Sequence, residues 1–335
     1  MGRIKIKKRI GVLKSALLQS LKTRLALKTS DDNDTKTIIG RHDYLLEDIP
    51  GRGILKYDDV EVFQTALPAR GEDSVAMLQA LQEEAEEMAA AWTGPRPNRI
   101  PVVPEKLSLE DFMAKPSVQE ALHNNELPIG LDMIHVENVS ISLNHFRQLA
   151  YVSDNEEALQ SITSHLLKVL MELPNPAKIM LLDTAGDYTH FKEDVRTYVG
   201  NEEELPDLVK QLLDIFERRQ VQPLEEQEPW FIVIPNLQTF IQESGISEED
   251  WVRLFNKAYQ VKLYLILGGS YQYLGISGDA QVKKVRLDAQ WFLVGMRLTD
   301  QSFLDKVYNS KEAKLDTDMV YIHNRKQYQQ LKISS

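Results

Sequence analysis

The chain has 335 residues, of which 43% are hydrophobic and 27% charged, and it contains no cysteine. This composition is typical of a globular protein with a substantial core, and the lack of cysteine excludes disulfides, thiolate metal sites and cysteine nucleophiles. The net charge of −11 argues against broad nucleic-acid binding, because phosphate contacts need clustered Lys and Arg. No apolar run reaches the roughly 20 residues that a membrane-spanning helix needs.

The first 28 residues depart from this acidic character, because they carry nine Lys or Arg residues and neither Asp nor Glu. A basic stretch of this kind contacts nucleic acid or anionic lipid in some proteins, whereas in others it is a solvated terminus. No adequate apolar stretch or cleavage site follows it, so we expect no signal peptide here. Because the rest of the chain is acidic, we expect no nucleic-acid partner.

Residues 1–70 contain the signals of a few short strands. The run Val60–Ala66 alternates apolar and polar side chains, as a half-buried strand does, and Pro50-Gly51 predicts a turn before it. About 70 residues with so few strands seldom form a stable core alone. We therefore interpret residues 1–70 as the C-terminal end of a larger domain.

Residues 71–127 form a predicted connector. From Asp73 to Trp92 the sequence predicts a helix with acids on one face and apolar residues on the other. The apolar positions are Val75, Leu78, Leu81, Ala85 and Met88. Four prolines between residues 95 and 104 then predict an extended path, because proline fixes φ and disfavours helix before it. A short helix is expected from Ser108.

Residues 128–335 alternate strand and helix signals, which indicates an α/β domain of the doubly wound or RecA-like P-loop NTPase type with a mostly parallel sheet. The predicted strands are short apolar runs, typical of parallel strands covered on both faces. They are Gln148–Val152, Ile179–Asp183, Trp230–Pro235, Leu263–Leu267 and Trp291–Val294. The predicted helices are Glu156–Leu173, Glu203–Arg219 and Glu248–Tyr259. The tail predicts an antiparallel hairpin of Met319–His323 and Tyr328–Ile333 at the sheet edge.

A phosphate-binding loop of this fold would lie between the first of these strands and the helix after it. The eight residues there are Ser153, Asp154, Asn155, Glu156, Glu157, Ala158, Leu159 and Gln160, and we call them the slot. The working pattern, G-x-x-x-x-G-K-[ST], uses glycines to turn backbone N–H groups toward phosphates, Lys to reach the β- and γ-phosphates and a hydroxyl to bind Mg²⁺. The slot replaces all four of these residues and adds two glutamates. On these residues alone, an ordinary strand–loop–helix and a former P-loop both remain open.

The Walker B position also lacks its chemistry. That motif is a strand ending in an acid that holds Mg²⁺, but the matching strand here ends in Pro235 and Asn236, neither of which can act as a general base. Asp183, at the end of another strand, is the acid in a comparable place, and it is either a turn residue or a metal ligand. We predict no catalytic residue and no metal site, with ATP and Mg²⁺ binding as the alternative.

Two segments and a linker resemble those of FtsK/SpoIIIE-type ATPases. The stretch from Leu25 through Pro50-Gly51-Arg52-Gly53 to Gln64 is similar to the closing segment of such a domain. Trp92–Pro97 and Ile100–Glu105 are similar to the linker between the second and third ATPase domains of EssC/EccC-like proteins, and Pro128–Asp132 resembles the start of the third. These proteins are membrane-anchored coupling ATPases of type VII (ESX-like) secretion.

The resemblance implies a division into a C-terminal remnant of an ATPase domain (1–70), a helical and Pro-rich linker (71–127) and a degenerate third ATPase domain (128–335). It implies no ATPase activity of the chain alone, and a cytoplasmic location with the membrane reached through N-terminal regions of the family that this sequence lacks. The implied partners are small helical WXG-motif secretion substrates and other ATPase domains of the same machine, including further copies of the chain. A weak ATPase and a DNA-translocase-like protein are the alternatives.

Overall fold

The computed structural model describes residues 21–28, 32–66, 68–96, 100–174, 178–305, 307, 312–324 and 327–335. The chain divides into two compact units, residues 1–98 and residues 99–335. The boundary falls inside the predicted connector, so that its second half belongs to the larger unit. Most of the basic start, residues 1–20, lies outside the described residues, and the assignment of residues 1–70 to an ATPase domain stays a prediction.

The smaller unit contains a three-stranded antiparallel sheet and two helices in its described part. The strands are β1 (Arg24–Leu27), β2 (Arg52–Lys56) and β3 (Val60–Gln64), and the helices are α1 (Asp32–Ile39) and α2 (Ser74–Ala91). The described core is small, because it consists of Ala26, Ile39 and Ile54 with a few half-buried neighbours. Helix α2 begins after Asp73, whose carboxylate accepts hydrogen bonds from the amides of Val75 and Ala76.

The larger unit is built on a ten-stranded sheet, with the strand order β5-β4-β13-β12-β11-β6-β10-β9-β7-β8. Its strands are β4 (Glu126–Asp132), β5 (Asn138–Ser142), β6 (Gln148–Ser153), β7 (Lys178–Leu182), β8 (Thr197–Val199), β9 (Trp230–Ile234), β10 (Leu263–Ser270), β11 (Trp291–Val294), β12 (Met319–His323) and β13 (Tyr328–Lys332). The six strands from β11 to β8 in this order are parallel, and the other four are antiparallel. The predicted α/β fold with a mostly parallel sheet is therefore confirmed.

The position of the C-terminal hairpin corrects one expectation. Strands β12 and β13 pair with each other as predicted, but they do not form the edge of the sheet. Strand β13 also pairs with β4, through Leu331 opposite Asp132 and Lys332 opposite Leu131. The hairpin is thus internal, and the hairpin of β4 and β5, which the strand predictions omitted, takes the edge.

Helices cover both faces of the sheet. They are α3 (Leu109–Met113), α4 (Pro116–His123), α5 (Glu156–Met171), α6 (Leu205–Gln220), α7 (Leu237–Glu243), α8 (Glu248–Lys257) and α9 (Ala280–Asp288). Alternate residues of a strand face opposite sides, so that in β9 Phe231 and Val233 join one core layer while Ile232 and Ile234 join the other. Phe112 of α3 and Val118 of α4 are completely buried, which places the second half of the predicted connector in this core. No helix among the described residues is long and apolar enough to span a bilayer.

Gly268 of β10 leaves room for a large aromatic side chain on the neighbouring strand β6. It lies opposite Tyr151 in the pairing of β10 with β6, and a Cβ at this position would lie 2.3 Å from the Tyr151 ring. The Tyr151 hydroxyl is itself fixed by a 2.7 Å hydrogen bond to the Thr163 hydroxyl. The ring therefore cannot move aside without breaking a buried contact, and the position requires glycine.

We expect Gly268→Ala to lower the free energy of unfolding of the larger unit by about 1–3 kcal/mol, because the added methyl group overpacks the core. Chemical denaturation followed by circular dichroism measures the change. Gly278→Ala is the matched control, since nothing lies within 4 Å of its Cβ position, and it should change stability by less than about 0.5 kcal/mol. Equal effects at the two glycines would contradict this account of the packing.

Candidate functional site

A cleft of about 310 Å³ opens at the carboxyl ends of the parallel strands β6, β7, β9 and β10. Ligands of open α/β sheets bind at this edge. The cleft collects residues from all the predicted positions. Its lining includes Ser153, Asp154, Asn155, Glu156, Leu159 and Gln160 of the slot, Pro235 and Asn236, the acid Asp183, and Gly269 and Ser270 at the end of β10. The other two slot residues, Glu157 and Ala158, are not among the described lining residues.

The slot forms a short, closed turn. Strand β6 ends at Ser153, whose buried hydroxyl donates to the Gly295 carbonyl at 2.7 Å and accepts from the Asn155 amide at 3.0 Å. Helix α5 then begins at Glu156, the fourth residue of the slot. The Asn155 side-chain oxygen accepts from the amides of Glu157 at 2.8 Å and Ala158 at 3.4 Å.

This cap changes what the start of helix α5 can do. The first amides of a helix lack partners within the helix, and this is why helix N-termini bind phosphate. Here the Asn155 side chain satisfies two of them. The half-buried Leu159 stands where the pattern has Lys, so no cation completes the loop. Two of the amides at the start of the helix therefore bond to a side chain of the slot itself.

Asp183 is buried, with 1% of its surface exposed, and its carboxylate accepts three hydrogen bonds. One oxygen accepts from the Asp187 amide at 3.0 Å, and the other accepts from the Tyr188 amide and the Tyr198 hydroxyl, each at 2.8 Å. Burial raises the pKa of Tyr198 to about 12, and its hydrogen bond to Asp183 adds to this, so that the phenol remains a donor at neutral pH. These contacts are those of a turn residue.

The residues after strand β9 also have structural partners. The Asn236 side-chain oxygen accepts from the Thr239 amide at 3.2 Å and so caps helix α7. Among the described residues, no group of three or more His, Asp or Glu side chains could hold a metal ion. The cleft therefore offers Mg²⁺ neither the acid of a Walker B strand nor a ready set of ligands.

The charge of the cleft is uniformly negative. Carboxylates of Asp154, Glu156, Asp183 and Asp187 line it, and none of the described lining residues is Lys, Arg or His. A carboxylate close to a phosphate repels it by on the order of a kcal/mol even at high dielectric. The cleft thus disfavours a triphosphate by its charge as well as by its capped amides.

Several lining residues were not singled out from the sequence. They are Thr184, Ala185, Asp187, Tyr188 and Gln238. All of them follow the predicted strands β7 and β9 within a few residues, and this proximity is the signal that could have identified them. The apolar residues that follow Ser270 do not form a continuous exposed groove, because Tyr273 and Leu274 are buried whereas Ile276 is exposed.

His165 lies on helix α5 beneath the slot. Its Nε2–H donates to the Ile129 carbonyl of β4 at 2.8 Å, and its Nδ1 lies 2.8 Å from the Ser334 hydroxyl and accepts from the Ser334 amide at 3.2 Å. Burial lowers the pKa of His165 to about 4, an effect that its bond to Ile129 opposes. The ring is a neutral link between helix α5, strand β4 and the C-terminus, and no metal ligand.

Comparison with known proteins finds relatives among type VII and ESX secretion system proteins. EssC of Staphylococcus aureus strain NCTC 8325, a type VII secretion system protein, is 23% identical over 324 residues, which are 97% of this chain and 22% of that protein. EccC of Geobacillus thermodenitrificans, an ESX secretion system protein, is 24% identical over 327 residues. The chain is a homologue of EssC and EccC. It spans about a fifth of the length of these relatives, and no family model matches it.

Solved structures of the homologues share the fold of the chain. ATPases 2 and 3 of Geobacillus thermodenitrificans EssC superpose with a TM-score of 0.73 at 22% identity, covering 98% of this chain and 63% of that one. ATPases 2 and 3 of Thermomonospora curvata EccC, in complex with a signal sequence peptide, superpose with a TM-score of 0.57 at 19% identity, covering 87% and 54%. The predicted resemblance to the EssC/EccC ATPases is therefore confirmed.

We expect the stability of the larger unit to fall between pH 6.5 and about pH 4. The native pKa of His165 is about 4 against an ordinary value of 6.5, so that the unfolded state binds the proton first. The stabilisation is complete above pH 6.5 and disappears as the pH falls through 4, by about 3 kcal/mol in total. Denaturation midpoints measured at pH 7, 5.5 and 4 test this.

The variant His165→Gln keeps a donor for Ile129 and an acceptor for Ser334 but does not titrate. Its free energy of unfolding should therefore fall by about 3 kcal/mol less than that of the unmodified chain over this pH range. His145→Gln, at an exposed position, is the control and should follow the unmodified chain. A parallel decline in all three proteins would show that other groups set the pH dependence.

Proposed function

We propose that the larger unit is a non-hydrolysing FtsK/SpoIIIE-like module of a type VII secretion motor. In this proposal it recognises WXG-type secretion substrates on the cytoplasmic side of the membrane and modulates the ATPase domains with which it assembles. The homology to EssC and EccC supports a role as a component of such a motor. The loss of hydrolysis and the recognition of substrates rest on the arguments below.

One observation carries the first half of the proposal. At the edge of the sheet where a nucleotide would bind, Asn155 caps the helix, and four carboxylates line the cleft without a described cation. The groups that hold and polarise a triphosphate are Lys, open backbone amides and an acid-bound Mg²⁺. The side chains in these places have other partners, which supports a cleft that neither binds nor cleaves ATP.

The second half of the proposal follows from the homologues. The solved Thermomonospora curvata EccC ATPases carry a signal sequence peptide, and they share the fold of this chain. A module that retains this fold without a nucleotide site can still present a peptide-binding surface, because binding a peptide needs shape and hydrogen bonds rather than hydrolysis. We therefore assign the retained fold to partner binding.

Titration of Mg-ATP into the full chain should give no saturable heat, which corresponds to a Kd weaker than about 1 mM. Phosphate release should stay at background, and Glu156→Gln and Asp187→Asn should leave it there. Both substitutions keep the fold, because the two side chains are exposed. Turnover above background that either substitution reduces would favour the weak ATPase instead.

A WXG-type secreted protein should bind the full chain in fluorescence anisotropy. The same protein without its C-terminal signal segment is the matched control, and we expect it to bind at least about tenfold more weakly, a loss of one or two good contacts. Equal binding by the two forms, or binding by neither, would contradict the substrate-recognition half without affecting the nucleotide result. A salt-dependent DNA shift that requires Lys5–Arg9 would favour the DNA-translocase-like alternative.

A further inference from the structure

Helix α2 of the smaller unit carries an apolar stripe that faces solvent. Along its 18 residues none is buried. The large apolar side chains recur at intervals of three, four or seven residues, a spacing that places them on one face. They are Val75, Leu78, Leu81, Met88 and, at the C-cap, Trp92, and between 38 and 73% of each is exposed.

Such a helix gains little stability from the rest of the chain. An isolated helix of about this length is marginal in water, and most helices in proteins are stabilised by packing of an amphipathic face. In α2 the local devices are the Asp73 cap, two hydrogen bonds between side chains four residues apart (Gln79 to Glu83 and Gln82 to Glu86), and the Arg96 guanidinium on the Ala89 carbonyl. The apolar face itself contributes only when another surface covers it.

The charges of α2 indicate what that surface carries. The helix contains four glutamates and neither Lys nor Arg, and all four lie in its second half, where the helix dipole already favours cations. With about 3.6 residues per turn, Glu84 and Glu86 flank the stripe on its two sides. Glu83 and Glu87 lie on the opposite face. A partner that packs on the stripe therefore meets carboxylates at both margins.

We propose that the stripe of α2 is a docking site for an amphipathic helix of a partner protein, whose apolar seam is flanked by Lys or Arg. Apolar contact along the stripe supplies the affinity, and the pairs with Glu84 and Glu86 set the orientation. A second copy of α2 would bring glutamates against glutamates. Helices that lie on membranes carry Lys and Arg on their polar face, and α2 carries neither. The charge pattern thus selects a basic helix.

The stripe shares no residue with the cleft lining, and this proposal does not depend on whether the larger unit recognises secretion substrates. The probe is a synthetic peptide of about 20 residues, long enough for a helical seam, with leucines at heptad spacing and flanking lysines. Its control has glutamates in place of the lysines. Anisotropy of the labelled peptide with the full chain should give a Kd in the range of about 1–100 μM, and the acidic peptide should not bind.

Paired charge reversals on the helix give the decisive comparison. Glu84→Lys with Glu86→Lys should weaken the basic peptide about tenfold, since two attractions become repulsions. Glu83→Lys with Glu87→Lys changes the charge of the chain equally but acts on the back of the helix, and should weaken it less than about twofold. Leu78→Ser with Met88→Ser should abolish binding, while the circular dichroism spectrum shows that each variant folds.

Three results would overturn the proposal. The first is equal weakening by the two charge reversals, which would show attraction by net charge alone. The second is unchanged binding in Leu78→Ser with Met88→Ser, which would place the peptide elsewhere. The third is slow hydrogen exchange of the α2 amides in the chain without peptide, because the stripe would then already be covered within the chain itself.

Discussion

The larger unit depends on the burial of strand β6. All six residues of this strand are buried, and it pairs in parallel with β10 on one side and β11 on the other. The backbone N–H and C=O groups of a buried strand cannot bond to water, so they must find hydrogen-bond partners within the protein. These partners fix both the strands that flank β6 and the residue at which β6 ends. A side-chain hydrogen bond adds to these backbone bonds at the end of the strand: the Ser153 hydroxyl donates to the carbonyl of Gly295, which directly follows β11.

The position of the cleft follows from where strand β6 ends, at Ser153. Parallel strands leave their carboxyl ends at one edge of the sheet, so the turns after β6, β7, β9 and β10 must share it. What differs from a phosphate site is local. Asn155 and Asn236 cap the helices that begin there, and Asp183 anchors the turn after β7. Polar groups that could have bound a ligand instead stabilise the backbone.

The parallel half of the sheet was predictable, since β6, β9 and β11 are apolar runs of a length that suits buried strands. Strand β4 was not found because it contains Pro128 and Gly130, both of which argue against a strand, and the structure accommodates them with a bulge. The internal place of the tail hairpin was out of reach for another reason: it requires the pairing of Leu331 with Asp132, and local patterns carry no information about partners so distant.

The same limit applies to the site. The sequence located the slot and the loss of its glycines and lysine, because these are local patterns. It left Asp183 open between a turn residue and a metal ligand, and the contacts with Tyr188 and Tyr198 that favour a turn residue are not part of its local pattern. Likewise His165 has no local signal, since its partners Ile129 and Ser334 lie on other elements. The buried contacts of Ser153, Asp183 and His165 all join residues far apart in the sequence or on different elements, which is why local patterns do not predict them.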